Sequence, residues 1–251
     1  MAKIKAFIAD VDDTICESTL AIKSDMVEAL TRLYKSGTNI IFISGSTVDQ
    51  IRAQMSNDLL FDHFLIGTSG SHCAVILDGI YITVYQHLLP PDDKKAILEA
   101  FEELTMIKLI SPITSKEDQI QDRGSQITFS ALGRGAPSAD KKAFDPDKSI
   151  RKNYVRFIKD ALGSIANNYN INIGGTTSID VTMKGIDKAY GINEILAIIK
   201  VAPEECIFLG DSTDPGGNDY PATTVIKNYR KVNSLEDTIK IIDKIIEENN
   251  D

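Results

Sequence analysis

A short apolar run, Lys3-Ile4-Lys5-Ala6-Phe7-Ile8-Ala9, ends in Asp10-Val11-Asp12-Asp13-Thr14, and this junction constrains the fold more than any other stretch of the chain. The run is rich in β-formers and bounded by charge, which predicts a short buried strand. Three carboxylates at the end of such a strand repel one another and resist desolvation. That arrangement persists most easily with a cation among them. Open α/β sheets also hold their ligands at strand ends. Acidic residues after a strand cap helices and form turns as well, so the cluster alone leaves a metal-assisted site and a plain turn both open.

The residues that follow alternate between the helical and the strand period. Apolar residues at Met26, Ala29, Leu30 and Leu33 predict a helix over 24–36, closed by Gly37. Residues 39–43 read as a second strand ending in Ser44-Gly45-Ser46-Thr47, with Thr47 placed to cap a helix through about residue 57. A third run, Phe64-Leu65-Ile66, precedes a loop over 67–71, and Asp78-Gly79 between two apolar runs is a hairpin signal. Strand, helix, strand, helix, strand is the pattern of a parallel sheet covered by helices. Pro90-Pro91 ends that pattern. Beyond it a helix over 92–104, β-like runs at 106–110, 126–131, 170–175 and 178–182, and a long helix over 146–166 predict an α+β module. Alternation returns at Asp187, with a helix to about residue 200, strands at 206–209 and 223–226, and an amphipathic helix over 235–248. The economical architecture is an α/β core from residues 1–86 and 187–251, with an α+β domain of residues 87–186 inserted.

Composition bounds the function. At 251 residues and 43% hydrophobic content the chain can bury a substantial core. A net charge of −9 argues against a broad grip on nucleic acid or anionic lipid, while leaving room for a local basic pocket. No apolar run has membrane-spanning length, and the first residues lack a basic-then-apolar leader. The scattered Cys16, Cys73 and Cys206 have no metal-ligand spacing and point to a reducing, cytoplasmic setting.

A second acidic loop, Gly210-Asp211-Ser212-Thr213-Asp214-Pro215-Gly216-Gly217-Asn218-Asp219, follows the late strand. It fits neither a phosphate-cradling loop ending in Gly-Lys-Ser/Thr nor an EF-hand. Alone it is a turn. Paired with the first loop at neighbouring strand ends, it could give oxygen ligands to one hard cation such as Mg²⁺. Ser44 and Ser46 offer hydroxyl and backbone donors to a phosphate, and Lys188 could neutralise a nucleophilic carboxylate and the transferring group. A solvated surface lysine is the plain alternative for Lys188.

In this order the motifs resemble the haloacid dehalogenase superfamily of phosphotransferases, a Rossmann-like core carrying an inserted cap. Asp10-Val11-Asp12-Asp13-Thr14 matches its Asp-x-Asp-x-Thr motif, Ser44 its second-strand hydroxyl, Lys188 its lysine, and Gly210-Asp211 with Asn218-Asp219 its last acidic loop. The chain is similar, more narrowly, to the branch with an α+β cap that contains the eukaryotic-type phosphomannomutases. The loop from Pro215 to Asp219 carries that likeness, as does Gly174-Gly175-Thr176-Thr177-Ser178-Ile179-Asp180-Val181 followed by Gly185-Ile186-Asp187-Lys188.

The resemblance implies Asp10 as nucleophile, Asp12 as acid and base, and Lys188 and Ser44 as charge stabilisers. It implies Mg²⁺ held by Asp10, the Asp12 carbonyl and Asp211, with Asp219 orienting Lys188 or a water on the metal. Arg123, Arg134, Ser178 and Asp180, together with Ser46, would contact a sugar phosphate. Two residues depart from the pattern: Asp13 replaces a glycine, and Lys142 stands where a third cap arginine is expected. Lysine lacks the planar bidentate grip of arginine on phosphate. The expectation therefore leans to a sugar-phosphate phosphatase, with a phosphomannomutase interconverting mannose 1-phosphate and mannose 6-phosphate as the alternative. A catalytically silent sugar-phosphate-binding protein is disfavoured, because Asp10, Asp12, Lys188 and Asp211 are all present. Exposed cap surfaces could pair two copies as a homodimer.

Overall fold

The structure, a computed structural model, describes residues 3–18 and 20–250. Its strands are β1 (Ala6–Asp10), β2 (Asn39–Ile43), β3 (His63–Gly67), β4 (His72–Leu77), β5 (Ile80–Gln86), β6 (Ile120–Asp122), β7 (Gln126–Ser130), β8 (Tyr169–Gly174), β9 (Ser178–Met183), β10 (Cys206–Gly210) and β11 (Tyr229–Lys231). They form a seven-stranded sheet in the order β11-β10-β1-β2-β3-β4-β5 and a four-stranded sheet in the order β6-β7-β9-β8. The chain divides into two compact units, Met1–Gln86 with Ile186–Asp251, and His87–Gly185.

In the first unit β1 lies between β10 and β2, parallel to both, with Ala6 opposite Cys206 and Asn39. Every residue of β1 is buried. Successive side chains of a strand point to opposite faces, and here both faces are covered. Phe7 and Ala9 join the core with Leu30, Leu33, Ile242 and Ile245, whereas Ala6 and Ile8 pack with Ile192 and Ile195. The helices responsible are Ser24–Lys35 and Leu235–Asn250 on one face and Lys188–Ile199 on the other. Burial on both sides is why the run is continuously apolar rather than alternating. Because β10, β1, β2 and β3 are parallel, the residues after them emerge at one edge of the sheet. The hairpin β4–β5 closes the other end through Asp78 and Gly79, both at positive φ (50° and 75°), as a tight two-residue turn requires.

The second unit packs one face of its sheet on helices Pro91–Ile107 and Ser149–Leu162. Ile127, Phe129, Ile179 and Val181 meet Ile97, Phe101, Leu104 and Ile158 there. Phe101 stacks on Phe129 with ring centroids 5.3 Å apart. The alternate residues of β7 (Gln126, Thr128, Ser130) are polar and nevertheless buried.

Two expected strands are not strands. Met106 and Ile107 end the helix Pro91–Ile107, whose apolar series Ile97, Phe101, Leu104 runs out, and Lys108 and Leu109 turn out of it, Leu109 at φ 52°. Residues 223–225 fall on the helix Tyr220–Val225, which has a proline in its first turn and Ile226 as its extended C-cap. Proline there lacks only an N–H the helix does not use, and this outweighs the β-branched residues behind it. The edge strand is instead the exposed β11. The long helix of the second unit stops at Leu162, because Gly163 adopts φ 54°. The helix capped by Thr47 is α-helical over Val48–Ile51 and continues as a π-helical turn over Arg52–Ser56. Among the described residues no helix is long and apolar enough to cross a membrane.

His63 is buried at the start of β3. Its Nδ1 donates to the Phe61 carbonyl at 2.7 Å, and its Nε2 lies 2.9 Å from the Ser56 hydroxyl. Burial pushes its pKa below the ordinary imidazole value, against the opposing pull of the Phe61 bond and Asp62. Burial lowers His72 in the same way. A histidine whose folded pKa lies below its unfolded value, about 6.5, stabilises fully above that pH and loses the contribution as pH falls through it. Between about pH 7 and pH 5.5 the urea midpoint of the parent is expected to fall relative to that of His63→Gln. Parallel curves for the two proteins would remove His63 as a cause.

Candidate active site

Lys188 opens the helix Lys188–Ile199, directly after its N-cap Asp187. Asp187 caps that helix, its carboxylate accepting from the Tyr190 N–H at 3.0 Å. A cation at a helix N-terminus is disfavoured by the dipole, and Lys188 is only 2% exposed. Two carboxylates offset both penalties. Its Nζ donates to Asp10 Oδ1 at 2.5 Å and to Asp219 Oδ1 at 2.6 Å. The surface-lysine alternative is therefore excluded.

Glycines make this approach possible. Gly70, at φ 111°, packs against the Asp187 carbonyl and Gly191, where a Cβ would collide. Gly210 likewise leaves room for the Asp219 carboxylate, and Gly217 for the Ser212 carbonyl. The second oxygen of Asp219 accepts from the Ser212 N–H at 3.0 Å. Asp219 is thus engaged at both oxygens.

Asp10, Asp211 and Asp219 each bring a carboxylate oxygen within 4.8 Å of the others. Burial pushes the Asp10 carboxyl up to about 7, against the pull of Lys188 and with the help of Asp219 and Asp12. Asp211 is raised by burial and by Asp219 and Asp13. Lys188 is held above its ordinary value because Asp10 and Asp219 outweigh its own burial. One ammonium thus faces three carboxylates, and the surplus is negative.

After Asp10 the chain winds tightly around the Val11 carbonyl, which accepts from the Ile15 and Cys16 N–H groups at 2.9 and 3.0 Å. Asp12 is half-buried on this turn and Asp13 is exposed. Asp13 has φ 58°, the left-handed region that suits glycine and that aspartate tolerates better than most residues. This accounts for the departure at that position, and Asp13 Oδ1 accepts from the Ser18 N–H at 3.2 Å.

Ser44 is buried, its Oγ accepting from the Ser46 N–H at 3.0 Å. Thr68 and Ser69, which the sequence did not single out, tie this turn down: their N–H groups donate to the Ser46 and Ser44 carbonyls at 2.8 and 3.0 Å. Both have positive φ (46° and 57°), a strained conformation held by those bonds.

The second unit holds its own cluster. Asp180 accepts from Gln126 Nε2 at 2.8 Å and from the Thr128 hydroxyl at 2.7 Å. Burial raises it, against the Thr128 bond and the charge of Arg123. Arg123 is lowered by burial, raised by Asp180 and lowered again by Arg134, so two guanidinium groups and one carboxylate share an electrostatic neighbourhood. Ser178 starts β9, in register with Ser130 and Gly174. Lys142 is exposed on the helix Ser138–Phe144. It is Lys141 that donates to the Arg134 carbonyl, at 3.0 Å.

Residues 26–248 match a family model described as eukaryotic phosphomannomutase. A phosphomannomutase of Arabidopsis thaliana is 28% identical over 248 residues, covering 95% of this chain and 96% of that one. One of Spinacia oleracea is 26% identical over 248 residues, covering 96% of each. Among solved structures, an IMP-bound, N-terminally truncated IMP-nucleotidase of Plasmodium falciparum superposes with a TM-score of 0.70 at 15% identity, covering 98% of this chain and 68% of that one. The SMU.1108c protein of Streptococcus mutans gives 0.69 at 14% identity, covering 99% and 100%. At such identities the solved structures show the fold, that of the haloacid dehalogenase proteins.

Arg151 and Asp145 carry no sequence signal and prove central to the second unit. Arg151 is the largest of the fully buried side chains, and its Nε donates to Asp145 Oδ2 at 2.8 Å. Its Nη1 donates to the Gly174 and Gly175 carbonyls at 2.9 and 2.8 Å, fixing the turn that leads to Ser178 and Asp180. A Cβ at Gly174 would collide with the Asp180 carboxylate, so this turn and that carboxylate are set together. Arg151→Met removes the cation that pairs with buried Asp145 and leaves its carboxylate only the backbone N–H bonds of residues 150 and 151; breaking a buried pair costs about 3–5 kcal/mol. Urea unfolding should show that loss, with partial recovery in Asp145→Asn/Arg151→Met. A single variant as stable as the parent would contradict the assignment.

Proposed function

The chain belongs to the eukaryotic phosphomannomutase family, a family of phosphotransferases, and from that premise we propose that it is a phosphomannomutase working through an aspartyl-phosphate on Asp10. The match along residues 26–248 carries this reading over the phosphatase that Lys142 suggested. The neighbourhood of Arg123, Arg134 and Asp180 supports it. Guanidinium groups such as those of Arg123 and Arg134 suit a phosphate.

Asp10 supplies the attacking carboxylate oxygen. A bond forms from that oxygen to phosphorus as the ester bond to the sugar oxygen breaks, which divides one difficult transfer into two. Asp12, half-buried and two residues on, gives its proton to the leaving oxygen and then takes one from the hydroxyl that attacks the phospho-Asp10. Attack by a sugar hydroxyl returns the phosphoryl group at a new position; attack by water would make a phosphatase. Lys188 neutralises charge at Asp10, and Ser44 and Ser46 offer donors to the transferring oxygens. Asp219, with both oxygens occupied, holds Lys188 in place.

Three converging carboxylates with a negative surplus suit a hard divalent cation that takes oxygen ligands, and Mg²⁺ fits that donor set. Asp10 and Asp211 would hold it, since Asp219 is committed elsewhere. When bound, it would screen the approach of an anionic nucleophile to an anionic phosphate.

Asp10→Asn is expected to fold and to lose at least ~10³-fold in turnover, as when a principal catalytic group is removed. Near-parental turnover would overturn its role. Mannose 1-phosphate with Mg²⁺ and glucose 1,6-bisphosphate, followed by ³¹P NMR, should give mannose 6-phosphate only when the bisphosphate is present. Inorganic phosphate alone would restore the phosphatase reading. Chelation with EDTA should abolish turnover and added Mg²⁺ should restore it; activity indifferent to EDTA would sink the metal assignment.

A further inference from the structure

Gln126 begins β7, and its carbonyl accepts from the Arg123 N–H at 2.9 Å. The residue is 1% exposed. Its Nε2 donates to Asp180 Oδ1 and to Thr128 Oγ1, each at 2.8 Å. The Thr128 hydroxyl gives its single proton to the same Asp180 oxygen at 2.7 Å, so Thr128 can only accept from Gln126. That pattern fixes the amide: the NH₂ must face Asp180 and Thr128, and Oε1 must face away.

Oε1 is buried and has no hydrogen-bond partner among the described residues. A buried acceptor left unmade is costly, and each such group calls for a reason. The register places Thr182 opposite Gln126, Asp180 opposite Thr128 and Ser178 opposite Ser130. These side chains share the face of the sheet that does not pack on the helices. A network whose amide donates to a carboxylate polarises its own carbonyl and makes it a better acceptor. A neutral acceptor of this kind is matched by a hydroxyl group.

We propose that Gln126 Oε1 accepts a hydrogen bond from a ring hydroxyl of the hexose phosphate, and that Gln126 thereby helps set which sugar the enzyme takes. This rests on the reading above in which Arg123, Ser178 and Asp180 bind the sugar phosphate. A site built to bond a substrate hydroxyl rejects the analogue that lacks it.

The test compares the parent with Gln126→Met, a side chain of equal length without the amide, on mannose 1-phosphate and its 2-, 3- and 4-deoxy analogues, with Mg²⁺ and glucose 1,6-bisphosphate present. The parent should lose about tenfold or more in kcat/KM on one deoxy analogue, and Gln126→Met a similar factor on mannose 1-phosphate but nothing further on that analogue. Gln126→Asn, which keeps an amide but not its reach, should show the same collapse of discrimination and serves if the Met variant does not fold. Loss spread evenly over all analogues would mean that Gln126 only orders Asp180, and would overturn the proposal. So would unchanged discrimination in the variants, or a parent indifferent to every deoxy analogue. A parent that turns over no hexose phosphate would sink the functional reading and this proposal with it; turnover with unchanged discrimination sinks Gln126 alone.

Discussion

The ion pairs of Lys188 with Asp10 and Asp219 join three segments that lie far apart in sequence: the end of β1, the start of the helix Lys188–Ile199, and the loop after β10. All three groups are buried, and burying one of them unpaired would cost several kcal/mol. The parallel sheet supplies the geometry, because β1 and β10 are adjacent and end at the same edge. Glycines supply the clearance. Gly70 and Gly191 let the helix start close on the loop after β3, and Gly210 admits the Asp219 carboxylate. Larger residues at these positions would push the helix or the carboxylate away and leave charges stranded.

The strand ending in Asp10 was legible because a strand buried on both faces must be apolar throughout, while the carboxylates directly after it were open to a plain turn as well. The acidic loop from Gly210 to Asp219 was legible only by its pairing with the first, since by itself it reads as a turn. Residues 106–110 and 223–226 were misread because β-forming composition is a weak prior against context. The first begins at the end of a helix already nucleated, and the second follows a proline that favours helix entry. The roles of Arg151, Gln126, Thr68 and Ser69 had no sequence signal. Each depends on a partner brought near only by the fold: the carbonyls of Gly174 and Gly175, the Asp180 carboxylate, and the carbonyls of Ser46 and Ser44. Asp13 lies between these cases. Its departure from glycine was visible, but the reason, a left-handed backbone that aspartate can hold, needed φ.

Charge differs in sign between the two clusters. In the first unit three carboxylates face one ammonium, and burial, helped by the neighbouring carboxylates, raises Asp10 and Asp211. In the second, two guanidinium groups lie near one carboxylate; burial lowers Arg123, Asp180 opposes that shift and Arg134 adds to it. A divalent cation would relieve the first and an anion the second. Each unit thus carries its own electrostatic demand, and the two demands are opposite in sign. The polar, buried face around Gln126, Thr128 and Asp180 adds a further condition, because such groups are stable only when each finds a hydrogen-bond partner.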